Sequence, residues 1–256
     1  MELNPVKTFY DELAADYHLN FGNWDEAIAN QAKILNKIIK EHTNGSAQTL
    51  LDCSCGIGTQ AIGLAQTGYT VTASDLSPLA IKRAEEEALK RNVNIHFKVA
   101  DFLRLESEVE GIFDVVISCD NSLPHLLSDA ELQLATKNIL SKIRPGGLFI
   151  GSTRDYDEIL KNKPISIYPT LSDNNGVKTF TFQTWEWLEN NIYTLNHYVV
   201  KGSPDNFTTS LRKAQYRAYQ RNEIDTIFKN AGFTGIKWLM PAESKYYQPI
   251  MVAFKP

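Results

Sequence analysis

The 256-residue chain has no run approaching the roughly 18 apolar residues of a membrane span. It has no internal repeat, low-complexity tract or long linker, so solenoid and fibrous readings have nothing to rest on. Its opening stretch, MELNPVKTFYDEL, lacks the apolar core of a signal peptide. Cysteine is scarce: Cys53, Cys55 and Cys119 are the only three. A C-x-C pair without partner histidines or further cysteines makes a poor metal site, so buried reduced thiols are the reading and no metal is expected. Basic residues are also short, 26 against 30 acidic for a net charge of −4, where nucleic-acid binding usually needs a basic surface. These absences leave a cytoplasmic globular protein whose partner is neither nucleic acid nor membrane. At 43% hydrophobic and 22% charged residues the composition suits one large α/β domain, or a core with an elaboration. Composition leaves the oligomeric state open.

What is present is organised around residues 49–77, TLLDCSCGIGTQAIGLAQTGYTVTASDLS. An apolar run of strand length ends on Asp52, and Gly56 and Gly58 turn the chain. Ala61, Ile62, Leu64 and Ala65 then form the apolar face of a helix that Gly68 closes. Residues 69–73 read as the next strand, and Asp75 follows it. A glycine turn between strand and helix lets backbone N–H groups approach a ligand beside a helix N-terminus. Asp75 stands where nucleotide-binding α/β units place the acid that takes ribose hydroxyls. The run Gly56-Ile57-Gly58-Thr59-Gln60-Ala61 also satisfies the dinucleotide pattern, so the glycines alone do not choose a cofactor. Asp52 helps to choose. A carboxylate just before the turn would repel a pyrophosphate but suit the ammonium and sulfonium of S-adenosylmethionine (SAM).

The rest of the chain alternates. Residues 6–17 read as a short helix carrying Phe9, Tyr10 and Tyr17, and a longer helix runs from Asp25 to near His42. Ser77-Pro78 starts a helix reaching Arg91. Strands are expected at 95–99, 113–118 and 148–153, with a capping box at Ser128 and Glu131 between the last two. Such alternation means a parallel, doubly wound sheet, whose ligands bind beyond the carboxyl ends of its strands. Leu76, Asp101 and Phe102, and the loop Cys119-Asp120-Asn121 with His125, fall in those positions. Asp101 can accept from an adenine amino group and Phe102 can cover the ring. Asn121 and His125 are candidates for the substrate side. From 154 to 219 the pattern changes to alternating strands at 179–185, 192–200 and 211–219, an antiparallel insertion placed to cover the crevice. A helix from Asn222 to Gly232 and strands at 236–240 and 249–254 return to the core, the two strands as an antiparallel hairpin at the sheet edge.

LLDCSCGIGTQ, SDLS, ADF, FDVVISCDNSLPHL and IRPGGLF together resemble the successive motifs of class I SAM-dependent methyltransferases. FYDELAADYHLNFGNW and CDNSLPHL…TRDYDEIL further resemble the glycine and sarcosine N-methyltransferase group. The resemblance implies a Rossmann-like, doubly wound seven-stranded sheet with its last strand antiparallel. The core would take 1–153 and 220–256 with an N-terminal helical lid, and 154–219 would form the cap. It implies that Asp52, Gly56 and Gly58 hold the methionine part of SAM, that Asp75 and Leu76 meet the ribose, and that Asp101 and Phe102 meet the adenine. Cys119 and Asp120 would line the wall behind the methionine, and Tyr17 would close over the cofactor. Arg154 would bind a substrate carboxylate.

The expected reaction is in-line transfer of a methyl group from SAM to a small-molecule acceptor, leaving S-adenosylhomocysteine (SAH). An amine or amino acid such as glycine or sarcosine is the acceptor expected. The protein's part is to align the reactants and exclude water. His125 is either a local proton acceptor or a structural residue at a helix start. Arg154 either pairs bidentately with the acceptor carboxylate or forms an ion pair with Asp155 or Asp157. Oxygen or carbon methylation, a non-catalytic SAM-binding regulator and an NAD-dependent oxidoreductase are the alternatives.

Overall fold

The computed structural model describes residues 4–174, 177–203 and 206–256, so the first three residues of the opening stretch lie outside it. Helix α1 (Pro5–Leu13) starts at Asn4, whose side chain accepts from Val6 and Lys7. A short 3₁₀ turn at Tyr17–Asn20 follows, then α2 (Trp24–Thr43), capped by Asn23 and closed by left-handed Asn44. Parallel strands and helices then alternate: β1 (Thr49–Asp52), α3 (Thr59–Gln66), β2 (Thr70–Asp75), α4 (Pro78–Lys90) and β3 (Ile95–Val99). After α5 (Leu105–Glu108) come β4 (Phe113–Ser118), α6 (Asp129–Ser141) with the expected capping box, β5 (Ile143–Ser152) and α7 (Tyr156–Asn162).

Strands β6 (Ser166–Asn174), β7 (Val177–Trp187), β8 (Ile192–Ser203) and β9 (Asn206–Arg217) form a separate antiparallel sheet in sequential order. Helix α8 (Arg221–Ala231), β10 (Thr234–Leu239), α9 (Pro241–Ser244) and β11 (Ile250–Phe254) return to the first sheet. That sheet has seven strands in the order β10-β11-β5-β4-β1-β2-β3. Strand β11 runs antiparallel to both β5 and β10, and the order reverses at β1. β10 is the edge of the pair, as expected for a hairpin there.

Apolar strand residues such as Leu50, Val116 and Phe149 are inaccessible and pack against helices on both faces. Gly63 sits where a Cβ would meet Ala32 at 2.6 Å and the Ile28 carbonyl at 2.8 Å, which lets α2 lie close to α3. Among the described residues no helix is long and apolar enough to cross a membrane.

Three local features differ from expectation. The first helix stops at Leu13 because tertiary contacts take over: Asp16 pairs with Arg212 at 2.9 Å and Asn20 with His197 at 2.7 Å, both on the second sheet. The insertion has four strands, and β6 is the additional one. Pro169 argues against a strand there, yet β6 lies at an edge and its register shifts between Ile167 and Thr170, where a proline is tolerated. The last long helix begins at Arg221, capped by Gln220.

Candidate active site

Parallel register brings the carboxyl ends of β1, β2, β3 and β4 to one edge, with Asp52 opposite Ile117 and Asp75 opposite Val99. Beyond this edge lies a cavity of about 580 Å³, the strand-end cavity. A second, of about 670 Å³, lies between the core and the four-stranded sheet, the cap cavity. Both fall within the usual size of small-molecule sites.

Gly56 lines the strand-end cavity with φ of 53°, a left-handed conformation that favours glycine. Its N–H donates to Asp75 Oδ2 at 2.8 Å, while Asp75 Oδ1 accepts from the Ser77 N–H at 2.9 Å. Burial raises the Asp75 pKa, and the two backbone donors work against that rise. Leu76, Asp101 and Phe102 line the same wall, with Asp101 Oδ1 accepting from the Leu103 N–H at 2.9 Å and Oδ2 left free. Tyr17, Asp120 and His125 complete the predicted set that faces this cavity.

Asp52, Gly58 and Cys119 stand behind the wall instead. Asp52 is 1% exposed; its Oδ1 accepts from the Ser54 N–H at 3.3 Å and its Oδ2 has no partner. Burial pushes its pKa up to about 8, so Asp52 is mostly protonated near neutral pH. Gly58 caps α3 with φ of 95°, and a Cβ there would meet Ile62 at 3.0 Å. Its role is to pass the chain into α3. Cys119 is a buried free thiol whose pKa burial raises, as it does for Cys53 and Cys55. No group of three or more metal-ligating side chains occurs among the described residues.

Arg154 and Asn121 face the cap cavity. The Arg154 guanidinium donates to Tyr193 Oη at 2.7 Å and to Gln183 Oε1 at 3.1 Å, and it lies 4.8 Å from the Trp185 ring centre and 5.5 Å from that of Tyr216. The alternative ion pair with Asp155 or Asp157 does not form. Arg221 takes both acids, each at 2.6 Å, so Arg154 has no carboxylate partner among the described residues. Asn121 accepts from the Arg154 backbone N–H at 3.0 Å, while its Nδ2 is buried and unpartnered.

Tyr10, Tyr17 and Asp120 line both cavities and form the seam between them. His125 approaches this seam from the strand-end side. The Gln215 carbonyl, 3.2 Å from Nδ1, can only accept, which puts the His125 hydrogen on that nitrogen. Nε2 then accepts from Tyr10 Oη at 2.8 Å. Burial lowers the His125 pKa to about 3. His125 is therefore neutral, with its one acceptor position occupied by Tyr10. Tyr10 was visible only as one of several aromatics. Gln60, Tyr246 and Tyr247, all hydrogen-bonded to Asp120, carried no signal apart from the position of Gln60 beside the glycine turn.

Residues 50–147 match the family described as a methyltransferase domain. The matched stretch, from β1 into β5, is thus similar to a methyltransferase domain and contains the glycine turn. Human glycine N-methyltransferase is 33% identical over 162 residues, 58% of this chain and 54% of that protein. A glycine/sarcosine N-methyltransferase from Parasynechococcus marenigrum is 28% identical over 139 residues, 54% of this chain and 48% of its own length. The chain thus spans about half the length of the curated relatives it matches. Among solved structures, a SAM-bound amino pentose methyltransferase from Micromonospora echinaspora superposes on the methyltransferase fold with a TM-score of 0.78. It is 17% identical, covering 94% of this chain and 95% of that one.

Proposed function

We propose that this protein transfers a methyl group from SAM to the amine of a small molecule that also carries a carboxylate. The observation that carries this reading is Arg154, a half-buried guanidinium with no acid partner among the described residues, facing a cavity that adjoins the strand-end cavity at Tyr10, Tyr17 and Asp120. A half-buried cation held only by neutral groups favours an anion beside it, and a planar fork suits a carboxylate. The relatives named as glycine and sarcosine N-methyltransferases support the same class.

The strand-end cavity suits SAM. Asp75 and Leu76 would meet the ribose, Asp101 and Phe102 the adenine, and the Gly56 turn the methionine part. Asp52 lies behind that turn with its Oδ2 unpartnered, and it would balance the ligand's positive charge only by giving up its proton on binding. When bound, SAM supplies an electrophilic methyl on sulfur, whose departure needs no acid. The chain's own residues do the rest. Arg154 and Asn121 orient the acceptor, the aromatic ring of Trp185, Tyr193 and Tyr216 keeps water from the guanidinium, and Tyr10, fixed by His125, shapes the passage between the cavities.

A second acceptor class is favoured by size. Glycine has five heavy atoms and fills the space of about five waters, roughly 150 Å³ by the volume of liquid water. The cap cavity offers about 670 Å³. An amino sugar, the substrate type named for the structurally similar amino pentose methyltransferase, would use more of that room. Formation of SAH from SAM with glycine, sarcosine and amino pentoses distinguishes the two. Turnover with the amino acids and its loss in Arg154→Ala is the expected result. Turnover restricted to the sugars, indifferent to Arg154, would replace the carboxylate reading with the sugar one.

A further inference from the structure

We propose that Asp120 is the catalytic base that takes the proton from the acceptor's ammonium, an assignment resting on the N-methyl-transfer reading above. Among the described residues it is the one carboxylate that lines both cavities, and so the one acid placed where an acceptor nitrogen must meet the methyl group. The two other residues shared by the cavities are Tyr10 and Tyr17. Tyr10 gives its hydrogen to His125, which leaves that histidine's acceptor nitrogen occupied. Glu26, the other acid on the cap cavity, is exposed and lies away from the strand ends.

The backbone shows that this placement is imposed. Asp120 and Asn121 are consecutive non-glycine residues in the left-handed region, with φ of 58° and 67°. Such conformations persist where the surroundings over-determine them, and they concentrate at functional sites. Here Ser152 supplies the hold: its Oγ accepts from the Asp120 N–H at 2.8 Å and its carbonyl from the Asn121 N–H at 3.1 Å.

The carboxyl group itself is fixed and still has capacity. Tyr247 Oη donates to Oδ1 at 2.6 Å, and Tyr246 Oη shares its hydrogen between Oδ1 at 2.8 Å and Gln31 Oε1 at 2.9 Å. Gln60 Nε2 donates to Oδ2 at 2.7 Å and to Gln31 Oε1 at 2.7 Å. A carboxylate offers about four acceptor positions, so one on Oδ2 remains for an incoming N–H. No cation pairs with Asp120 among the described residues. The titratable groups around it are Asp52 and Cys119 behind it, Tyr17 across the seam, and Tyr246 and Tyr247 beside it, with Arg154 and Lys245 elsewhere on the cap cavity. Burial raises its proton affinity against the pull of the tyrosine and glutamine donors, which is the direction a base needs.

The step balances. Amines of this kind hold their proton at pH 7, so the acceptor arrives as an ammonium. Asp120 Oδ2 accepts one N–H proton and the nitrogen keeps the electron pair. That pair forms the N–C bond as the C–S bond breaks, with the C–S pair leaving on sulfur as the neutral thioether. The methylated product departs as an ammonium, and the proton on Asp120 passes to water.

The test compares wild type, Asp120→Asn and Tyr247→Phe, with glycine, sarcosine and an amino pentose as acceptors. It follows kcat/KM against pH, calorimetric SAM affinity, and proton release when acceptor is titrated into the SAH complex in buffers of different ionisation enthalpy. Asp120→Asn is expected to lose about 100-fold or more at pH 7 and to recover about tenfold per pH unit as solvent deprotonates the amine. Acceptor binding in that variant should release about one proton where wild type releases none, since the wild-type transfer is internal. SAM affinity should stay within about threefold, a change below ~0.7 kcal/mol. Tyr247→Phe removes a donor to the carboxylate at a half-exposed position, so the acid limb of the profile should move to higher pH. If wild type methylates these amines and Asp120→Asn keeps its pH profile and proton balance, the assignment of Asp120 alone is overturned. A SAM affinity that falls in step with turnover reduces Asp120 to part of the cofactor wall and also overturns it. If wild type methylates none of these amines, the N-methyl reading fails and this assignment with it.

Discussion

The two cavities that meet at Tyr10, Tyr17 and Asp120 are built by different means. The strand-end cavity is walled by turns that each follow a strand of one sheet, and backbone N–H groups from Gly56 and Ser77 fix its key carboxylate. The cap cavity gathers single side chains from many elements: Arg154 after β5, Gln183 from β7, Tyr216 from β9 and Tyr246 before β11. Main-chain groups present the same donors whatever the side chain, so the first wall suits one constant ligand. A wall of side chains is retuned residue by residue, so the second suits a ligand that differs from one protein to the next.

The largest effect should come from the second wall. Arg154→Ala should lower acceptor kcat/KM by about 100-fold or more while leaving calorimetric SAM affinity unchanged. Arg154→Lys should restore only part, since an ammonium does not reproduce the planar fork. The reverse experiment is Asp75→Ala, which should weaken SAM binding by about 1–3 kcal/mol through lost charge-assisted hydrogen bonds. A parallel fall in both affinities for either variant would show that the cavities are one site and break the distinction.

Asp52→Asn should act on stability, visible in thermal unfolding against pH. The folded protein holds the Asp52 proton up to about pH 8, against the ordinary 3.8. A raised carboxyl pKa gives stability that is complete below about pH 4 and lost as pH rises toward 8, at up to about 1.4 kcal/mol per pH unit. The amide does not titrate, so the share of the slope due to Asp52 should vanish in the variant, while Asp75 and Asp120, whose pKa values burial also raises, keep theirs in both proteins. His125, with its lowered pKa, acts with the opposite sign below pH 6.5 but does so in both proteins and cancels. An unchanged slope would mean that Asp52 is already ionised in the folded protein at neutral pH.

The same contrast explains what could be read from sequence. Asp75, Asp101 and the Gly56 turn were legible because each lies at or within four residues of the end of its strand, and parallel pairing leaves little choice about where a strand end points. Asp52 and Cys119 had the right positions along the chain, but alternation along a strand end turns neighbouring side chains to opposite sides, and these two turn into the core. Tyr246 and Tyr247 reach Asp120 across more than a hundred residues, and no periodicity encodes such a contact. Strand β6 was hidden by Pro169, whose meaning depends on lying at an edge, and an edge is a property of the sheet. The end of α1 was decided likewise by Arg212 and His197 on the second sheet.

Arg221 lines neither cavity, yet its two ion pairs carry a consequence for the acceptor site. Asp155 and Asp157 follow Arg154 within three positions and are the nearest carboxylates along the chain. By occupying both, Arg221 leaves Arg154 with no carboxylate partner among the described residues, so on the proposed reading the charge offered to an acceptor depends on a side chain of α8. A substitution of Arg221 would free two acids within three positions of Arg154 without altering the lining of either cavity.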